Sequence, residues 1–461
     1  MTHPLHRVFY PRSVAIIGAS ADESKLGFLC VRHMLQWVYA GNIYPINPGT
    51  KEILGLKTYP SLADIPEPEV DLAILVRPSA VSVDAMRECA AKKVKGVVMI
   101  SSGFRELGTE AGQQRQCELA EAASGGGIKI IGPNTIGMIC RSSGINCSFQ
   151  DTLKELKPGN ISIVAQSGGT CMFIVHALMN RDVGVSKALS LGNQCNLGFA
   201  EMLEYFEEDE DTKVVILHIE GMENAEETLR AGASLARKKP VLCYKVGRYD
   251  RLAQPIKSHT GAIAGSYDAH MAAFRKAGFL IMDSIEDMVD SAKALAMQPP
   301  AAGPRFAALS PQSGPAIIIA DTCRQRGLTL AEFSPEGREK LHAVVDPTTY
   351  KDNPVDMAIT ATRFKDSVET LKTVLEDPNV DLVICSTLYH FIYNQLLQAA
   401  IHLAPGAKKP LVVCCDRPKG ITVPEAPALE AVGVPVYDLP ERAAVAAAAL
   451  VNYGRVRKGQ R

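Results

Sequence analysis

Three short stretches carry residues able to do chemistry. The first is Ser258-His259-Thr260-Gly261-Ala262, an imidazole among hydroxyls and small residues where a core histidine would have Leu, Val or Phe around it. At neutral pH an imidazole is largely uncharged and can attack phosphorus. A phosphorylated side chain carries about two negative charges and needs donors and open space, and Ser258, Thr260 and Gly261 offer both. A carboxylate should hold one ring nitrogen protonated so that the other can attack. Glu220, at the end of the apolar run "VVILHIEG", is the candidate. His218 lies in that run, while His176 and His270 fall in helical patterns, so these three read as packing or surface residues.

The second stretch occurs twice, as Gln166-Ser167-Gly168 and as Gln312-Ser313-Gly314, each between an apolar strand pattern and a helix pattern. A small hydroxyl residue and free backbone N–H groups at a helix start make an anion site, aided by the helix dipole. Two of them suggest a pair of helix N-termini serving one phosphate. The third stretch is Gly18-Ala19-Ser20, a glycine turn closing the run "SVAIIGAS". Such a turn lets a phosphate reach a helix N-terminus. It is not a G-x-G-x-x-G, and the second strand ends in Asn47-Pro48-Gly49-Thr50-Lys51 with no acid to hold a ribose. A dinucleotide-dependent dehydrogenase should have both features. A lysine there suits a phosphorylated ribose, so coenzyme A fits better than NAD.

Strand and helix patterns alternate throughout, which predicts α/β units on parallel sheets. "SVAIIGAS", "NIYPINPG", "VDLAILVRP", "VKGVVMISSGF" and "IKIIGPN" supply a first, Rossmann-like domain over residues 1–140. "NISIVAQSGG" opens a second domain over 150–297, and "RFAALSPQSG" opens a third over 304–461, after a Pro/Ala/Gly linker. The shared strand, Gln-Ser-Gly and helix, followed by "DEDTKVVILHIEG" in one and "DPNVDLVICSTLY" in the other, predict a duplicated flavodoxin-like domain.

Bulk properties exclude several classes. The 461 residues are 47% hydrophobic and 21% charged with a formal net charge of −1, so no overall field draws nucleic acid or an anionic membrane. No apolar run is long enough for a membrane span and the N-terminus has no secretory pattern, so a cytoplasmic protein is expected. The 12 cysteines include no C-x-x-C pair, so neither a metal site nor a disulfide framework is expected.

With these motifs the sequence resembles the ADP-forming acyl-CoA synthetases, relatives of succinyl-CoA synthetase, and specifically their α subunit. "SVAIIGAS", "YPINPG", "GLKTYPSLADIP" and "GPNTIGMI" are similar to the CoA-binding domain, and "AQSGG", "SLGNQCN" and "HIEG" to the second domain. "SHTGAIAG" matches the phosphohistidine loop, and "NPVDM" resembles a motif of the third domain. The resemblance implies that His259 carries phosphate transiently, oriented by Glu220, with Gln166, Ser167 and Gly168 at one phosphate-facing helix and Gln312, Ser313 and Gly314 at the other. Gly18, Ser20, Asn47, Pro48 and Lys51 would border the CoA. ATP or ADP with Mg2+ is expected on a separate ATP-grasp β subunit, in an α2β2 assembly, since no such module is recognised in this chain. Asn196 stands where the family usually has Asp, a change bearing on the acyl site or on one local hydrogen bond, and Glu210 stands where Pro is common. The competing reading is a catalytically silent CoA- or acyl-CoA-binding regulator or scaffold.

Overall fold

In a computed structural model of the chain, residues 3–249, 266–389 and 394–460 are described. They fall into two compact units, Met1–Met282 and Asp283–Arg461. Among the described residues the first unit holds two large sheets and a two-stranded antiparallel ribbon, Glu52–Ile53 with Leu56–Lys57, and the second unit holds one sheet.

The first sheet is built from β1 (Ser13–Ile17), β2 (Asn42–Ile46), β3 (Leu72–Leu75), β4 (Gly96–Met99) and β5 (Lys129–Ile131), in the order 2-1-3-4-5. All its pairings are parallel. Helices α1 (Leu26–Gln36), α2 (Ser82–Ala91) and α3 (Glu110–Ser124) make its crossovers. Ser13–Ile17 is buried at every position, as a strand covered on both faces must be, which is why it reads as a continuous apolar run rather than an alternating one.

The second sheet contains β6 (Met138–Cys140), β7 (Ile145–Asn146), β8 (Pro158–Ala165), β9 (Val185–Ser190), β10 (Val214–Ile219), β11 (Val241–Lys245) and β12 (Leu280–Ile281). Its order is β12-β11-β10-β8-β9-β6-β7. The five strands from β8 to β12 are parallel and repeat the 2-1-3-4-5 order. The β6–β7 hairpin adds antiparallel to β9. The helices are α4 (Gly168–Met179), α5 (Phe199–Glu208), α6 (Ala225–Ala236) and α7 (Tyr267–Ala277).

The second unit begins with α8 (Ile285–Met297). It continues through β13 (Arg305–Ser310), α9 (Ser313–Gln325), β14 (Thr329–Leu330), α10 (Pro335–Val344), β15 (Val355–Asp356), α11 (Phe364–Glu376) and β16 (Leu382–Thr387). It closes with α12 (Gln395–Leu403), β17 (Leu411–Cys415), α13 (Glu425–Ala431), β18 (Val436–Tyr437) and α14 (Pro440–Arg457). The main path is β14-β13-β16-β17-β18, again 2-1-3-4-5, with β15 paired to β13. In each such sheet the crossovers diverge between the first and third strands, and a ligand crevice opens beyond the carboxyl ends of those two strands. The doubly wound sheets expected from the sequence are present, and no helix among the described residues is long and apolar enough to cross a membrane.

Candidate active site

The crevice of the first sheet is shaped by Gly18-Ala19-Ser20 after β1. Gly18 has φ 94°, and its amide donates to the Ile46 carbonyl at the end of β2 (3.4 Å). The Asn47 side chain donates to the Ala19 carbonyl (2.8 Å) and accepts from the Gly49 amide (2.8 Å). Asn47 therefore fixes the turn, and with Pro48 and Lys51 lies at the same sheet edge as Gly18 and Ser20. The Ser20 hydroxyl accepts from the Asp22 amide (3.0 Å). Helix α1 approaches so closely that a Cβ on Gly27 would stand 2.1 Å from the Gly18 carbonyl oxygen. Across the switch point, at the end of β3, Arg77 is exposed beside Gly18. The sequence reading missed this cation, because a single arginine after a strand carries no pattern.

The second sheet brings together two of the predicted stretches. Gln166 directly follows β8 and Glu220 directly follows β10, the two strands that flank its switch point. The Gln166 amide oxygen accepts from the backbone N–H groups of Glu220 (2.8 Å) and Gly221 (3.0 Å). Its Nε2 is buried and has no hydrogen-bond partner among the described residues. Ser167 caps α4 by accepting from the Thr170 amide (3.4 Å), and no described residue comes within 4 Å of where a Cβ on Gly169 would stand. Glu220 is buried, and its carbonyl accepts from Lys245 Nζ (2.8 Å). Burial pushes the Lys245 ammonium below its ordinary pKa, with the nearby Cys243 and Glu220 opposing that shift. His218 is buried on β10, His176 bonds the Thr152 hydroxyl (2.7 Å), and His270 stacks near Phe274.

The "GPNTIGMI" and "SLGNQCN" stretches lie side by side. Thr135 donates to the Ser190 carbonyl (2.6 Å), Asn193 N–H to the Pro133 carbonyl (3.0 Å) and Cys195 N–H to the Gly132 carbonyl (3.1 Å). A side chain at Gly192 would meet the Pro133 carbonyl oxygen at 2.2 Å, so the close approach requires glycine. Between the two sheets this arrangement leaves a cavity of about 530 Å³. Gln166, Ser167, Gly168 and Gly169 line it from the second sheet, with Asn134, Ile136 and Gly192 from the stitched turns, and Ile100, Ser102 and Glu106 from the loop after β4. Phe149 completes a wall, on a strap fastened by the buried His33, whose Nδ1 bonds the Ser148 carbonyl (2.8 Å) and Nε2 the Asp151 carboxylate (2.8 Å).

In the second unit Gln312 repeats part of the Gln166 geometry. Its amide oxygen accepts from the Leu388 amide just beyond β16 (3.2 Å), so both glutamines tie the first strand of a sheet to the third. Ser313 donates to the Asp356 carboxylate of "NPVDM", and no described residue comes within 4 Å of where a Cβ on Gly314 would stand. His259 lies outside the described residues. Asn196 is committed to the backbone of edge strand β5: its Nδ2 donates to the Ile128 carbonyl (2.8 Å) and its Oδ1 accepts from the Ile130 amide (2.8 Å). Glu210 is exposed. Glu106 and Asn193 were not singled out from the sequence, where each reads as an ordinary loop polar residue. No cluster that could hold a metal ion is found among the described residues.

With this geometry in place, comparison with known proteins decides the family. Residues 12–141 match the CoA binding domain family and residues 158–295 match the succinyl-CoA ligase like flavodoxin domain. The α subunit of acetate–CoA ligase [ADP-forming] II from Pyrococcus furiosus is 35% identical, over 97% of this chain and 97% of its own length. The chain belongs to the ADP-forming acyl-CoA synthetases. Acetate–CoA ligase [ADP-forming] I of Archaeoglobus fulgidus is 36% identical over 99% of this chain, which spans 65% of that longer protein. Among solved structures, a dinucleotide forming acetyl-coenzyme A synthetase 1 from Ca. Korarchaeum cryptofilum, in complex with phosphate and ADP, superposes with a TM-score of 0.91. It is 28% identical, with 99% of this chain and 98% of that one covered. This ADP-forming acyl-CoA synthetase chain is of the α-subunit type, and its first domain is a CoA-binding domain.

Proposed function

We propose that this chain, with an ATP-grasp β subunit carrying ATP or ADP and Mg2+, catalyses carboxylic acid + CoA + ATP ⇌ acyl-CoA + ADP + phosphate. The observation that carries the proposal is the buried Gln166 Nε2, without a partner among the described residues, at the start of α4 and on the wall of a cavity between the CoA-binding and ligase sheets. A buried donor left unmade costs about 1–3 kcal/mol, which a ligand oxygen would recover. A carboxylate or acyl phosphate oxygen is such an acceptor, and the positive end of α4 favours its charge. CoA lies along the β1–β3 crevice, bordered by Gly18, Ser20, Pro48 and Lys51, with Arg77 as a further phosphate contact.

In the thioester-cleaving direction, inorganic phosphate attacks the acyl-CoA carbonyl, the C–S bond breaks and CoA leaves as the thiol. His259 then attacks phosphorus of the acyl phosphate, the P–O bond breaks and the free acid departs. Glu220 holds the proton on the non-attacking ring nitrogen. The phosphoryl group then passes to ADP on the partner. An α2β2 assembly is part of the same proposal, and the free thiols suit the cytoplasm.

Incubating the chain with acyl-CoA and phosphate tests this directly. An acid-labile, base-stable phosphate is expected on the natural protein and absent from His259→Ala, while CoA binding by the variant stays within about twofold. Labelling of His259→Ala equal to that of the natural protein would overturn the relay. If neither is labelled, even with the β subunit and ATP, the CoA-binding regulator becomes the better account.

A further inference from the structure

Among the described residues lining the cavity, Glu106 alone bears a charge; the others are Leu26, Phe149, isoleucines, glycines and neutral polar residues. It sits on the turn after β4, and its Oε1 accepts from the Gly103 (2.5 Å) and Phe104 (3.1 Å) amides. Its Oε2 accepts from Asn193 Nδ2 (2.6 Å). Burial acts to raise its pKa, but the hydrogen bonds from Asn193, Gly103 and Phe104 outweigh it and hold the carboxyl below its ordinary value. At neutral pH the cavity wall therefore carries a fixed negative charge, locked by three donors that leave the side chain little freedom to withdraw.

The reacting carboxylate of the acid has a place prepared for it, at the α4 start with the spare Gln166 donor. A second carboxylate on the same acid would share the cavity with the half-buried Glu106, where like charges a few ångströms apart repel. We infer that Glu106 is a specificity-determining residue that excludes dicarboxylic acids and restricts the acyl group to one with an uncharged tail. This rests on the cavity being the acyl site of the proposed reaction. Leu26, Ile100, Ile136 and Phe149 offer such a tail apolar contact.

Butyryl-CoA and succinyl-CoA differ at the chain end by a methyl against a carboxylate, and they form the test. Two readings are taken on the full chain: phosphate incorporation from each thioester, and the melting-temperature shift each produces by binding. The natural chain should favour butyryl-CoA by about 100-fold in incorporation and shift only modestly with succinyl-CoA. Glu106→Gln keeps an acceptor for the Gly103 and Phe104 amides while removing the charge, and should cut the preference by about tenfold or more. Leu26→Arg places a cation on the same wall at a position already 41% exposed, and should lower the preference even if Glu106→Gln folds poorly. Equal use of both thioesters by the natural chain, or an unchanged ratio in both variants, overturns the inference. Absence of phosphate from both thioesters, with the β subunit and ATP also giving none, overturns the proposed reaction instead. The binding shifts then judge Glu106 separately, since charge exclusion predicts weaker succinyl-CoA binding whether or not chemistry follows.

Discussion

At the scale of single residues, the site shows what a side chain's type does and does not reveal. Gln166 is legible as a polar residue at a helix start, but not as the group whose amide oxygen holds the Glu220 and Gly221 N–H groups, because those partners come from a distant strand. Glu106 looks like any surface charge until the fold sets three donors around it. Asn196 is the clearest case. An amide there donates to Ile128 and accepts from Ile130, imitating a neighbouring strand along the open edge of β5. A carboxylate could only accept, and would face the Ile128 carbonyl with no proton between them. Asn196→Asp should therefore cost about 1–3 kcal/mol, read as a lower urea midpoint with an unchanged slope, and should leave the acyl-CoA preference unaltered. A changed preference with unchanged stability would move Asn196 into the acyl site.

Individual elements were more legible than their contacts. Continuous apolar strands closing on Gly, Asn or Gln announced parallel sheets, and the Gln-Ser-Gly turns announced helix starts, because strand burial and N-capping are local rules. What the sequence left hidden is how nearly the elements touch. Helix α1 begins so close to the Gly18 turn that only a residue without a side chain fits at 27. Gly27→Ala would be harmless on an isolated helix, where alanine is the better former. Here it must push α1 away from the turn, straining a packed layer by about 1–3 kcal/mol and widening the CoA crevice. The expected result is CoA affinity weakened by about tenfold or more in a titration, with phosphate labelling falling in parallel at subsaturating acyl-CoA. Unchanged affinity would mean that CoA does not use the Gly18 turn.

Across the whole molecule, one strand order recurs in three sheets, and two of them are cross-tied by a glutamine at the switch point, which is the physical content of the duplication visible in the sequence. Repetition of a pattern does not say where one folding unit stops, however, and α8 shows why. The family match of the second domain runs to residue 295, yet α8 packs in the second unit, Asp283–Arg461. Its Met288, Val289 and Leu295 are buried there. Asp290 takes both arms of Arg442 from α14 (2.6 and 2.7 Å), and Lys293 binds Glu430 and the Val436 carbonyl. Burying three such side chains is worth about 6 kcal/mol, and stripping Arg442 of its main carboxylate costs a few more. Together these are comparable to the whole stability of an ordinary domain, about 5–15 kcal/mol. A fragment of residues 283–461 should therefore unfold cooperatively by circular dichroism, whereas residues 304–461 should lack a sharp transition. If the shorter fragment melts as cooperatively as the longer one, α8 is a bystander on that surface, and the boundary belongs in the Pro/Ala/Gly linker after it.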